Sequence, residues 1–415
     1  METPRRLPRG GSVGFEDVKV LIARGTYVDK SLFVKEIIDN TSGVLLITRP
    51  RRWGKSSNMS LLQTFLELEV DKAGTPLPQE KKDNPVYFTG GEVVDNFGKV
   101  QLAPLKIAND AETMQHLGQY PVILINFKDL GGLSCEELAE GLKLKLSKAF
   151  DEHYYLLTSP QLDEKAKAKF ERYLYTEDIT DKELRDTLNF LMQCLYKHFG
   201  KKVWVLIDEY DSAINRAYGR FGKDEANPYH FSSEFQKVLD LFKDVMGRAL
   251  KSEKLLEKGV ITGILRIAKA NLFSELNNFT EYSVLDEEFA PYYGFTQDEV
   301  DMLCQQQRIS EELQKEIKAW YNGYSYGGLE LYNPWSMARC LFHKRHALKN
   351  YWEESGSFGF IADIMIEDAV QKEIQTYMQP PYSQDNVFVN NYIDFASLFR
   401  ADAQTDVSLL LHTGY

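Results

Sequence analysis

Runs of consecutive apolar residues, spread along the first two thirds of the chain, constrain its fold more than any other feature. They are Val44-Leu45-Leu46-Ile47-Thr48, Tyr120 to Phe127, Val203-Trp204-Val205-Leu206-Ile207 and Gly259-Val260-Ile261-Thr262-Gly263. A run without polar alternation suits a strand buried on both faces. A weaker fifth run lies at Tyr282-Ser283-Val284-Leu285. Helical periodicity fills the gaps, at about 134–157, 161–175, 181–199 and 232–252. Strands alternating with helices predict an α/β fold, a three-layer parallel sheet wound by right-handed crossovers. Residues 70–120, with Pro76, Pro78, Pro85, Pro104 and Gly90-Gly91, read as an irregular insertion.

The chemistry sits where two of these strands end. The first runs into Arg49-Pro50-Arg51-Arg52-Trp53-Gly54-Lys55-Ser56-Ser57, and Leu61, Leu62, Phe65 and Leu66 then repeat at helical spacing. A phosphate loop (P-loop) needs backbone N–H groups at a helix N-terminus, a lysine for the outer phosphates and a hydroxyl for Mg2+. Gly54, Lys55 and Ser56 supply these at a strand-to-helix junction. The standard pattern G-x-x-x-x-G-K-S/T would place glycine at position 49, where this chain has arginine. An ordinary βα turn that happens to carry a lysine is the competing reading. The strand ending in Ile207-Asp208-Glu209 shifts the balance, because its shape suits Asp208 holding Mg2+ through water and Glu209 polarising the attacking water.

Other residues leave alternatives open. Thr262 stands where a polar sensor of the outer phosphate would sit. Arg266 could reach the phosphates or a neighbouring subunit, or form a solvated helix face with Lys269. Arg51 and Arg52 could clamp phosphate or pair with Asp208 or Glu209. Trp53 could stack on a base or pack under the loop. Asp211 caps the next turn or lies near the metal. The aromatic stretch Trp320 to Gly328 could be a stacking platform for single-stranded nucleic acid, or a tight turn packed on the second region.

In order along residues 27 to 336, several segments together resemble the AAA-ATPase-like family. They are Tyr27-Val28-Asp29-Lys30-Ser31, the Arg49–Ser56 loop, Phe127-Lys128-Asp129-Leu130 and Ile207-Asp208-Glu209-Tyr210-Asp211. Thr262-Gly263-Ile264-Leu265-Arg266, Trp320-Tyr321-Asn322-Gly323-Tyr324 and Tyr332-Asn333-Pro334-Trp335-Ser336 complete the set. A loop opening with Arg-Pro-Arg-Arg in place of the first glycine is a feature of that family, with Phe usual where Trp53 stands. Longer members carry a PD-(D/E)XK nuclease-like domain after the ATPase part. Ser408 to Tyr415 resembles the junction before that domain, and no nuclease chemistry is carried over.

The bulk properties bound the function. At 415 residues, two domains or one large domain with an appendage is the expectation. The division read here is a loose arm at 1–14, a P-loop unit at 15–293 and a mainly helical region at 294–415. A net charge of −12 argues against nucleic-acid binding over the whole surface. The basic N-terminal residues Arg5, Arg6 and Arg9 precede no apolar stretch of a secretory signal. No run approaches the roughly 20 apolar residues of a membrane span. Four scattered cysteines show no metal-ligand spacing, which suits reduced thiols in a cytoplasmic protein.

The expected function is therefore ATP binding with Mg2+, and hydrolysis serving as a switch or motor. The expected nucleotide contacts are Arg51, Arg52, Trp53, Gly54, Lys55, Ser56 and Ser57, with Ser56 and Asp208 at the metal. Lys55, Glu209 and Arg266 are the expected catalytic residues. A protein partner or a second copy of the chain is expected to receive the cycle, with nucleic acid a weaker option. A nucleotide-binding scaffold without turnover is the alternative.

Overall fold

A computed structural model describes residues 16–95, 98–176, 178–222, 224, 230–265, 273, 276, 278–342, 346–351, 408 and 411–414. The central sheet has five strands: β1 (Val44–Thr48), β2 (Val122–Asn126), β3 (Val203–Asp208), β4 (Leu256–Gly263) and β5 (Phe279–Tyr282). Their order across the sheet is β2-β3-β4-β1-β5, and every neighbouring pair is parallel.

The helices that position the site are α1 (Val18–Ala23), α2 (Leu32–Asp39), α3 (Lys55–Leu66), α4 (Cys135–Glu152), α5 (Glu164–Tyr175) and α6 (Thr187–Phe199). They continue with α7 (Ser212–Phe221), α8 (Ser233–Leu250), α9 (Gln297–Gln306), α10 (Glu311–Tyr321) and α11 (Pro334–Leu341). A β-hairpin of β6 (Asn322–Tyr326) and β7 (Leu329–Tyr332) lies between α10 and α11.

The apolar runs are continuous because each strand feeds two cores. On β1, Leu45 and Ile47 join the core formed with α1, α2 and α3, while Val44 and Leu46 join the core formed with α4 to α8. On β3, Trp204 and Leu206 face the first core, and Val203, Val205 and Ile207 face the second. This is the period-two alternation of a strand, read out on two apolar faces instead of one. Three layers result, with helices on both sides of the sheet.

The fifth strand differs from the sequence reading. It is Phe279–Tyr282, and Val284 and Leu285 lie beyond it. As an edge strand with four half-buried residues, Phe-Thr-Glu-Tyr needs no apolar run. Val284 is apolar for another reason: it packs against Trp53 and the β6–β7 hairpin. Within the irregular stretch 70–120, Gly91–Asp95 and Gly98–Leu102 pair as a second antiparallel hairpin. The aromatic turn at 321–332 is a hairpin too. Gly327 and Gly328 turn it with φ of +52° and +73°, the left-handed pair that tight hairpins require. Helix α7 was not anticipated.

The C-terminal helices α9–α11 and β7 share a core of Val300, Leu303, Cys304, Ile317, Tyr321, Tyr332, Met337 and Cys340. Val28 inserts into that core from the N-terminal segment. Its neighbour Lys30 is 8% exposed, and its ammonium reaches Glu299 at 2.6 Å and the Pro291 carbonyl at 2.6 Å. Glu299 also closes the capping box that starts α9. Asp29 accepts from the backbone N–H groups of Ser31 and Lys106, and the Ser31 hydroxyl accepts from Ile107. Tyr27–Ser31 is thus a clasp that joins three parts of the chain.

Among the described residues no helix is long and apolar enough to cross a membrane. Removing one partner of the Lys30–Glu299 pair would leave the other charge buried. Lys30→Met is expected to cost about 3 kcal/mol in urea unfolding. Lys30→Met with Glu299→Gln should cost less than the sum of the single changes, and strict additivity would show that the two groups are uncoupled.

Candidate nucleotide-binding site

Strand β1 ends at Thr48, and the chain turns through Arg49–Gly54 into α3. Two residues of the turn are left-handed: Arg52 at φ +66° and Gly54 at φ +85°. Gly54 holds the N-cap position of α3 without a side chain to cap it. The first turn of a 12-residue helix therefore presents its N–H groups and positive dipole end to whatever enters. Ser57, in that first turn, is half-buried.

Lys55 opens α3 and is 6% exposed. Its ammonium donates to the carbonyls of Arg49 at 3.0 Å and Pro50 at 2.8 Å. It thus lies folded along its own loop. Burial lowers its pKa, opposed by the charges of Glu209, Asp208 and Asp211. The Ser56 hydroxyl donates to Asp208 Oδ2 at 2.7 Å, which ties the loop to the end of β3.

Asp208 is 2% exposed and accepts four hydrogen bonds. Oδ2 takes Ser56 and the Asn126 amide at 3.0 Å, and Oδ1 takes the Glu209 N–H and the Thr262 hydroxyl. Those donors come from α3, β2, β4 and the residue that follows β3. Strand β4 lies between β1 and β3, so Thr262 stands between the phosphate loop and the acidic strand end. Glu209 adopts φ +52°, which turns its side chain away from the strand direction. Burial raises its pKa; Lys55 opposes the shift, and Asp208 and Asp211 add to it.

Asp211 is not a side-chain cap. It occupies the N-cap position of α7 without a capping bond, and its carboxylate accepts the N–H groups of Ile264 and Leu265 at 2.9 and 2.8 Å. It thereby holds the turn that follows β4. Arg266 and Lys269 lie outside the described residues.

The remaining loop residues face the C-terminal region. Trp53 is fully buried against Val284, Tyr326 and Leu331, its ring 5.0 Å from Tyr324 and 4.8 Å from Tyr326. Of its two readings, packing under the loop is the one the geometry shows. Gly294 leaves room for it, since a Cβ there would come within 2.6 Å of the indole. The Arg52 guanidinium lies 4.0 Å over the Trp335 ring, and Arg51 is exposed. Arg49, where a standard loop has glycine, is 1% exposed and donates to the carbonyls of Thr48, Tyr282 and Ser283. Burial pushes its pKa down to about 10.

Sequence reasoning missed Asn126. The signal was present: it closes an apolar strand as Asp208 does, and the two are register partners on β2 and β3. Nothing in the sequence alone says that these strands are neighbours.

The family model described as "Predicted AAA-ATPase" matches residues 12–75 and 95–273, more than half of the chain. The chain belongs to the AAA-ATPase-like family. It is a P-loop ATP-binding protein. It is also similar to an uncharacterized protein in the vnfD 5′ region of Azotobacter chroococcum mcd 1, at 28% identity over 341 residues. That match covers 82% of this chain and 52% of the relative, so the chain spans about half the relative's length. Among solved structures, a Walker-type ATPase of Pyrococcus abyssi matches at 15% identity with a TM-score of 0.37. The match covers 86% of this chain and 76% of that one.

In this AAA-ATPase-like chain, Trp53 is the main apolar anchor of the loop. Trp53→Ala is expected to cost about 3–5 kcal/mol in denaturant unfolding. Trp53→Phe should cost under about 1.5 kcal/mol, because it keeps the ring contacts and removes an indole N–H that has no hydrogen-bond partner among the described residues. A cost below about 1 kcal/mol for Trp53→Ala would show that the loop is not held from this side.

Proposed function

We propose that this protein hydrolyses ATP with Mg2+ and uses the cycle as a switch. The reading rests on one juxtaposition: Lys55 and Ser56 at an uncapped helix N-terminus, bonded through Ser56 to Asp208 with Glu209 beside it. Lys55 would leave the Arg49 and Pro50 carbonyls for the outer phosphates, a stronger, charge-assisted contact. The N–H groups of Gly54 to Ser57 would cradle the phosphates.

The donor set fits Mg2+. Ser56 donates its O–H hydrogen bond to Asp208, which leaves the hydroxyl lone pairs for a cation, and hard oxygen ligands suit that ion. Among the described residues no group of three or more His, Cys, Asp or Glu side chains is placed to hold a metal. A single serine and one carboxylate accord with a cation held mainly by phosphate and water. When bound, Mg2+ would neutralise charge on the outer phosphates.

Glu209 is the proposed base that orients the attacking water, with Thr262 facing the outer phosphate. Arg51 is placed to meet phosphate from the open side of the loop. Arg52 and Trp53 serve by shaping the loop from beneath. Arg266 follows the turn held by Asp211 and keeps its proposed role as a phosphate or subunit contact. We assign residues 15–293 to the nucleotide unit and 294–415 to the region that reads its state. A protein partner or a second copy would receive the signal, inside the cell where ATP is found.

Calorimetry and a phosphate-release assay test this together. Lys55→Ala should weaken nucleotide binding about 10–100-fold, as expected for loss of charged hydrogen bonds. Glu209→Gln should keep binding and slow turnover about 10²–10⁴-fold. Binding with no turnover in the intact chain, unchanged by Glu209→Gln, would instead favour a nucleotide-binding scaffold.

The pH profile gives a second check. A base must be deprotonated, and Glu209 has a raised pKa. Turnover should therefore fall, as pH is lowered, above the ordinary glutamate range near about 4.3. The acid limb should vanish from the residual rate of Glu209→Gln. An acid limb at the ordinary carboxylate position would assign the base elsewhere.

A further inference from the structure

We propose that Asn126 is a positioning residue for the metal, acting through Asp208 and Ser56; this rests on the Mg2+-ATP reading above. The Asn126 side chain is held at both ends. Its Oδ1 accepts the Lys128 N–H at 2.7 Å, and its Nδ2 donates to Asp208 Oδ2 at 3.0 Å. With the oxygen fixed on a backbone donor, the amide has one orientation that satisfies both bonds.

That orientation matters because of what shares Oδ2. A carboxylate has about four lone-pair sites, and Asp208 fills them with donors from α3, β2, β4 and the next residue in the chain. Thr262 and the Glu209 N–H hold Oδ1, while Asn126 and Ser56 hold Oδ2. The carboxylate plane is thus set from both sides, and Asn126 is the only side-chain donor from β2. Asp208 in turn accepts the Ser56 O–H hydrogen bond, which leaves the hydroxyl lone pairs for a cation. Without Asn126 one side of the carboxylate is released, and the serine loses its fixed acceptor.

The register makes this arrangement part of the sheet. Asn126 and Asp208 are the paired terminal residues of β2 and β3, so the amide and carboxylate meet without a loop between them. The Lys128 N–H belongs to the turn directly after β2, and the Lys128 ammonium pairs with Glu16 at 2.7 Å. The clamp therefore joins the turn after β2 to the metal-facing edge of the phosphate loop.

The test uses the full chain, with Mn2+ as the metal probe and nucleotide stoichiometric with protein. The free-Mn2+ electron paramagnetic resonance signal gives the metal affinity, and calorimetry in EDTA gives nucleotide affinity alone. Asn126→Ala should weaken Mn2+ binding about 10–100-fold, the usual effect of losing an outer partner of a ligand. Nucleotide affinity in EDTA should stay within about twofold of wild type, since the amide faces Asp208 and not the α3 N-terminus.

Asn126→Asp keeps the shape and the Lys128 contact, which guards against a folding defect. At pH 8 it places a second carboxylate beside Asp208 and loses the donor. Metal affinity of Asn126→Asp at pH 8 should therefore fall below that of wild type, as in Asn126→Ala. Tighter Mn2+ binding at pH 8, or an unchanged affinity in Asn126→Ala, would overturn the proposal while leaving the parent reading intact. Absence of nucleotide binding by the wild type would overturn both.

Discussion

A single buried carboxylate organises the sheet end on which everything else is arranged. Asp208 sits where water cannot satisfy it, so each oxygen must find donors inside the protein. It finds them on three elements and on the Glu209 N–H, and thereby fixes the distance from the phosphate loop to the acidic strand end. Insertion of β4 between β1 and β3 is what makes this possible. It opens a gap one strand wide, with Thr262 to fill it and the Ser56 hydroxyl to cross it.

The loop is held from the other side by apolar and cationic contacts. Arg49, Arg52 and Trp53 all send their side chains toward residues 282–335, so the variant opening of the loop is a set of anchors. A standard glycine at position 49 leaves space there. This chain spends that space on a guanidinium bonded to the carbonyls that end β1 and follow β5. The Tyr324 and Tyr326 hydroxyls reach on to the carbonyls of Gly414 and Leu411. A rearrangement of the loop would thus be felt in the β6–β7 hairpin and in the C-terminal residues beneath it.

Much of the fold was legible because its signals are local. Val44–Thr48 and Val203–Ile207 are apolar throughout, and only a strand with a core on each face asks for that. The edge strand was misplaced by a few residues because Val284 and Leu285 are apolar for contacts with Trp53, a distant residue. The β6–β7 hairpin read as an aromatic turn, since its tyrosines face a loop some 270 residues earlier in the chain. Helix α7 went unread because its buried face is only Ala213, Ile214, Ala217 and Tyr218, a weak apolar stripe.

The sequence by itself determined the parts: a lysine and a serine at a strand-to-helix junction, an acidic pair at the end of a buried strand, and an arginine in place of glycine. Those follow from residue type and spacing, which act over a few residues. Tertiary structure alone decided which strand ends are neighbours. It put Asn126 beside Asp208, directed Asp211 to the turn after β4 and sent Trp53 beneath the loop. Strand order depends on how the helices cover two faces at once, a property of the whole packed chain. The Ser56–Asp208 bond, which spans 152 residues of sequence, exists only once that order is set.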